Sequence, residues 1–214
     1  KAAVVEKEGI QLGAIAQEIE EVFPDMVTTQ STGIKTVSTD NLTWYLVNAV
    51  KNVSVSTYGK ETIIFENELK KITKAKHVIS IINGTSALHL SLYISGVSNN
   101  MEVLIPALNF ISSANATLYL GATPHFVDVE ENSLGVDFKK LDNYLKKITI
   151  IKNNKCYNKS SKKIIKAIIV THVFGHPCDL DYARKISKKY KLILIEDAAE
   201  ALGSFYKKKH VGTF

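Results

Sequence analysis

The segment Lys191–Ser204, KLILIEDAAEALGS, constrains the fold more than any other stretch. Leu192, Ile193, Leu194 and Ile195 form an unbroken apolar run. Such a run predicts a central strand covered on both faces, not an alternating surface strand. Glu196 and Asp197 follow at its carboxyl end. In open α/β sheets ligands bind in the crevice at that end, so an acid there is placed to touch a ligand. Asp is also a favoured helix N-cap. On this segment alone the two readings weigh equally.

The chain upstream supplies the rest of a sheet. From about Val53, helical and strand-like segments alternate: helix Lys60–Thr73, strand Lys76–Ile82, helix Thr85–Gly96 and strand Met101–Ile105. Helix Ile111–Leu120 follows, closed by Gly121, then strand His125–Val129 and helix Asp137–Ile148. Strand Lys166–Thr171 and helix Asp179–Tyr190 lead into the opening segment. This alternation predicts an α/β fold, a mainly parallel sheet with helices on both faces and right-handed crossovers. With 45% hydrophobic and 22% charged residues, the 214-residue chain can bury a core for one large domain, or for a domain and a smaller piece.

Composition excludes several function classes. No apolar run is long enough to span a bilayer and no signal peptide opens the chain. Cys156 and Cys178 have no metal-ligand spacing and are expected as reduced thiols, which suits a cytoplasmic protein. The net charge of +6 is uneven. Lys139–Lys166 holds ten lysines and the single acid Asp142, leaving 17 basic against 20 acidic residues elsewhere. Without aromatic interleaving or a recognition motif, that cluster reads as a solvated lysine-rich loop and not as a nucleic-acid site.

Residues 1–52 have a different pattern, an α-rich segment distinct from residues 53–214. Gly13–Phe23 places Ala14, Ile15, Ile19, Val22 and Phe23 on one helical face, and Pro24 ends it. Gly33–Thr39 alternates like a strand. Asn41–Val53 carries Leu42, Leu46, Ala49 and Val53, a seam suited to a partner helix or to packing on its own domain.

Three more stretches lie at predicted strand ends. In Asn83-Gly84-Thr85-Ser86-Ala87-Leu88-His89, Gly84 allows a tight turn, and Thr85 and Ser86 place hydroxyl and N–H groups at a helix N-terminus. That geometry binds phosphate, although the same residues serve as plain caps. Phe110 in Pro106-Ala107-Leu108-Asn109-Phe110 could stack on a planar ring or belong to the core. His172 and His176 are four apart, but Gly175 and Pro177 make the segment a loop, which defeats helical i, i+4 metal ligation. A phosphate cradle, a stacking ring and a carboxylate together suit pyridoxal phosphate.

The ordered motifs VSTYGKETIIFENEL, VISIINGTSALHLSL, EVLIPALNFISSANA, GATPHFVDVEENSLG, IKAIIVTHVFGHPCDLD and EDAAEALGSFYKKKHVGTF resemble the DegT/DnrJ/EryC1/StrS sugar aminotransferases over residues 53–214. The resemblance implies part of the large domain of fold type I pyridoxal-phosphate transferases, usually homodimeric. It implies amino transfer, commonly from glutamate, to a keto group of a nucleotide-linked deoxysugar in surface polysaccharide or nonulosonic acid biosynthesis. Thr85 and Ser86, with Gly84, match phosphate contacts; Phe110 matches the stacking ring; Asp197 matches the partner of the pyridine nitrogen. Glu200 matches a polar position near the cofactor hydroxyl. The family's catalytic lysine follows a Gly-Thr-Phe-Gly segment, which places it past Phe214. The chain as written is therefore expected to lack turnover alone, and Lys207, Lys208 and Lys209 match a surface turn. Some relatives are sugar dehydratases with histidine in place of that lysine.

GAIAQEIEEVFPDMV and GIKTVSTDNLTWYLVNAVK, in turn, resemble the end of the intramolecular chaperone domain of phage tail spikes, which trimerises. This second resemblance implies an assembly role for residues 1–52, and as the alternative function a non-catalytic trimerisation module fused to an aminotransferase fragment.

Overall fold

The computed structural model describes residues 27–29, 35–37 and 59–214. The chain divides into two compact units, Lys1–Lys60 and Glu61–Phe214. In the first, β1 (Val27–Thr29) pairs antiparallel with β2 (Lys35–Val37), Val27 opposite Val37. β2 lies within the alternating stretch 33–39. The helices expected over 13–23 and 41–53 fall outside the described residues.

The second unit is built on a six-stranded mixed sheet. β3 (Met101–Pro106) pairs in parallel with β4 (Thr123–Val127) on one side and with β7 (Ile164–Thr171) on the other. β8 (Ile193–Asp197) runs parallel along the carboxyl half of β7, Ala167 opposite Ile193 and Thr171 opposite Asp197. The amino end of β7 is bordered instead by an antiparallel hairpin, β5 (Thr149–Lys152) and β6 (Lys155–Asn158). The lysine-rich segment is therefore not a plain solvated loop. Cys156 is fully buried and pairs with Ile165, so the insert docks through alternate residues while its lysines face outward.

Two layers of helices cover the sheet. α2 (Gly84–Ile94) and α3 (Ser112–Tyr119) pack Leu88, Leu92, Ala114 and Ala116 against Val103, Ile105, Ala167 and Ile169. α4 (Phe138–Ile148) and α5 (Leu180–Tyr190) pack Phe138, Leu141, Leu145, Leu180, Ala183 and Ile186 against Leu104, Ile165, Ile168 and Val170. Adjacent residues of β3 thus feed opposite cores, which is why β3 and β7 read as continuous apolar runs. Asp137 and Asp179 cap α4 and α5 with their carboxylates. Gly121 closes α3 at φ 68°, as its sequence position predicts.

Two expected strands differ. Lys76–Ile82 forms no ladder; Ser80 donates from its N–H and its hydroxyl to Glu66 of α1 (Lys60–Thr73), while Ile79 and Ile82 stay exposed. An apolar run becomes a strand only when a partner takes its backbone groups, and none does among the described residues. β8 is not a central strand there either. It pairs only with β7, and Ile193 to Asp197 are half-buried or more exposed.

Candidate active site

The carboxyl ends of β3, β7 and β8 lie side by side. Phe110 stands four residues past β3, His172–Gly175 follows β7, and Asp197 ends β8. α2 belongs to the same region of the fold, because Ile195 of β8 packs into the cluster holding Leu88 and Leu92.

Among the described residues no helix follows Asp197. The chain turns instead, and among the described residues Asp197 Oδ1 accepts only a 3.3 Å bond, from Ala199 N–H. The helix-cap reading therefore fails. Burial pushes the Asp197 carboxyl above its ordinary value, and Glu200 adds to the effect, against the opposing pull of Ala199 N–H and His172. This carboxylate is short of partners at the ligand end of the sheet, and a cationic N–H donor would relieve it.

Its neighbour Glu196 is saturated. Glu196 accepts from His172 Nε2 at 3.1 Å, Gly212 N–H at 2.8 Å and Phe214 N–H at 2.7 Å. Burial opposes ionisation, but these donors outweigh it and hold the carboxyl below its usual value. His172 is 1% exposed, and its Nδ1 accepts from Cys178 N–H. That bond fixes the Nε2–H tautomer, so His172 locks two strand ends together. Sequence reasoning weighed this histidine for metal and missed its carboxylate partner, which only the β7–β8 register reveals. Among the described residues no group of three or more His, Cys, Asp or Glu could hold a metal ion.

At the start of α2, Asn83 caps the helix by accepting from Ser86 N–H at 2.8 Å. The N–H groups of Gly84 and Thr85 take no partner among the described residues. A Cβ on Gly84 would meet nothing within 4 Å, so the turn opens onto free space. Thr85 Oγ1 lies 2.9 Å from Ser112 Oγ, a buried hydroxyl that the sequence did not single out. The arrangement suits an anion: two free donors, hydroxyls and the helix dipole. Phe110 is 74% exposed, so it is not core. Glu200 Oε2 accepts from Phe174 N–H at 3.1 Å. Two surface cavities lie elsewhere, one beside α5 and Phe214 and one between Glu130 and Tyr206; neither is lined by these residues.

The two cysteines are free and buried, and burial raises both thiols, Cys178 to about 12. They are inert as nucleophiles. No helix among the described residues is long and apolar enough to cross a membrane.

The sequence profile of the DegT/DnrJ/EryC1/StrS aminotransferase family matches residues 38–214, and the chain belongs to that family. The GDP-perosamine synthase of Escherichia coli O157:H7 is 37% identical over 170 residues, 79% of this chain and 42% of that protein. S. venezuelae DesV, solved in complex with a ketimine intermediate, superposes with a TM-score of 0.65 at 26% identity, covering 82% of this chain and 43% of that one. Helicobacter pylori PseC, an aminotransferase involved in the biosynthesis of pseudoaminic acid, gives 0.60 at 27% identity, covering 78% and 41%. The chain thus spans about two fifths of the length of these relatives. The fold is that of fold type I aminotransferases, and pyridoxal phosphate is the cofactor. The under-partnered Asp197, the open Gly84 turn and the exposed Phe110 ring fit it.

Proposed function

We propose that these residues form the cofactor-binding part of an enzyme that moves an amino group, from glutamate, onto a keto group of a nucleotide-linked deoxysugar. The half-buried, under-partnered Asp197 at the end of β8 carries this reading. Pyridoxal phosphate held there would supply an electron-accepting ring. Asp197 holds the proton on the ring nitrogen, and the low dielectric around it strengthens that pairing. Gly84, Thr85 and Ser86 bind the phosphate through N–H and hydroxyl groups. Phe110 would stack on the ring, and Glu200 would lie near its hydroxyl.

The membership and the relatives named for GDP-perosamine and pseudoaminic acid support the substrate class. The test uses the protein expressed from its whole reading frame, mixed with pyridoxal phosphate and glutamate. Conversion of the aldehyde absorbance to the amine form is expected, reversed by a nucleotide-linked keto sugar. No conversion by glutamate or any other amino donor would overturn the reading.

A homodimer through the α/β unit is part of the same proposal. Tyr93, Ile94 and Tyr119 on α2 and α3 are 65%, 75% and 65% exposed, which is apolar surface suited to a second copy. The assembly role of residues 1–52 is a separate proposal, carried by their sequence motifs. Mass in solution separates the two: a trimer lost on deleting residues 1–52 supports assembly, and a dimer that survives the deletion supports the enzyme.

A further inference from the structure

We propose that Phe174 is a ligand-contacting residue of the pyridoxal-phosphate site, held in a strained backbone conformation by Glu200. Phe174 has φ 50° and ψ 31°, the left-handed region that a bulky aromatic residue rarely adopts. The residue is 73% exposed, so core packing does not impose the conformation. The surrounding backbone does. Phe174 N–H donates to Glu200 Oε2 at 3.1 Å, Gly175 N–H to His172 O at 3.1 Å, and Ser204 Oγ to Gly175 O at 2.7 Å. Gly175 follows at φ 78°, where a Cβ would come within 2.8 Å of Glu200 O. The β7 and β8 loops are therefore clasped with one aromatic side chain left outside.

Its place in the sheet sets it beside the proposed cofactor contacts. β7 lies between β3, which leads to Phe110, and β8, which ends in Asp197. Phe174 thus stands at the middle strand of the three whose ends hold the proposed cofactor. Strain kept in an over-determined loop at a ligand site is characteristic of function. The sequence shows only a phenylalanine before a glycine, and nothing local distinguishes it from a core residue.

The inference rests on the proposed cofactor site and predicts a separation of stability from binding. Phe174→Gly relieves the left-handed strain and removes the ring. In the protein from its whole reading frame, the melting temperature without cofactor should stay unchanged or rise, by up to about 4 °C. Affinity for pyridoxal phosphate, read by fluorescence titration, should fall about five- to tenfold. Phe174→Tyr should retain affinity within about twofold. Unchanged affinity in Phe174→Gly overturns the inference and leaves the cofactor reading standing. A fall in both affinity and melting temperature also overturns it, because the ring would then be structural. A wild-type protein that binds no pyridoxal phosphate overturns both.

Discussion

Two carboxylates at opposite ends of the sheet show how differently one fold treats charge. Glu102, near the amino end of β3, is 3% exposed and fully served. It accepts from His125 Nδ1 at 2.7 Å, from Asn158 Nδ2 at 3.1 Å and from the Ser161 hydroxyl. His125 reaches on to the Tyr144 hydroxyl at 3.0 Å. Burial disfavours the Glu102 anion, yet Ser161, His125 and Asn158 together hold its carboxyl below the usual value. Among the described residues the Asp197 carboxylate takes one long bond, and burial leaves it raised. The first arrangement fastens the β5–β6 hairpin to the sheet. The second leaves capacity for a ligand. A satisfied buried charge reads as structure and an unsatisfied one as function.

Replacing each acid should therefore give opposite results. Asp197→Asn has the largest expected effect: activity of the whole protein should fall about 10²–10³-fold. Its cofactor-free melting temperature should hold or rise, because an ionised, poorly partnered group is removed. A variant that keeps its activity would break the assignment. Glu102→Ala should do the reverse. It leaves His125, Asn158 and Ser161 donors without an acceptor and should cost about 3 kcal/mol of stability in denaturant melts. Affinity for pyridoxal phosphate should change by less than about twofold, since the cluster lies at the far end of the strands.

The pH dependence sharpens the contrast. Glu102 has a lowered folded pKa, so its stabilisation is present above the unfolded value of 4.5 and is lost as pH falls through the folded one. Asp197 has a raised folded pKa, so it costs stability as pH rises from the unfolded value of 3.8 through the folded one. Melting curves of Glu102→Gln should lose part of the acid-side decline shown by the wild type, and curves of Asp197→Asn should lose part of the decline above pH 4. Identical profiles in all three proteins would contradict the distinction.

The smallest effect is expected at Asp142, a third acid that joins α4 to α5. It accepts from Lys189 at 2.5 Å and from the Tyr190 hydroxyl at 2.8 Å, and it faces Lys146 at 2.9 Å. Burial works against its ionisation, but Lys189, Lys146 and Tyr190 prevail and lower its carboxyl strongly. Because the lysines are exposed, Asp142→Asn should cost only about 1 kcal/mol, less in high salt. A larger loss, insensitive to salt, would place Asp142 with Glu102 as a buried anchor.

The local form of two proposed contact segments was legible because short motifs carry their chemistry within a few residues. Asn83-Gly84-Thr85-Ser86 has the residue types of an anion-binding helix start, and that helix starts at Gly84. Phe110 lies just past β3, outside the core, where a stacking ring would stand. Ser112 and Glu196 were not legible, since each acquires its role from a residue at least 24 positions away: Thr85 for the first, His172 for the second. Phe174 was hidden for a different reason: its backbone angle comes from Glu200, which lies on another loop.

From its sequence alone, the chain determines the alternation of helices and strands and a mainly parallel sheet with helices on both faces. Apolar period and turn residues act within a few positions, and they specify local structure directly. Tertiary structure decided which runs found partners. Lys76–Ile82 is as apolar as a strand yet bonds through Ser80 to Glu66, whereas the lysine-rich insert became a hairpin because β7 offered Ile164 and Ile165. It also decided between the two readings of Asp197, since among the described residues no helix follows for it to cap. Hydrogen-bond pairing is non-local, and the same residues can satisfy it in more than one way until the whole chain packs.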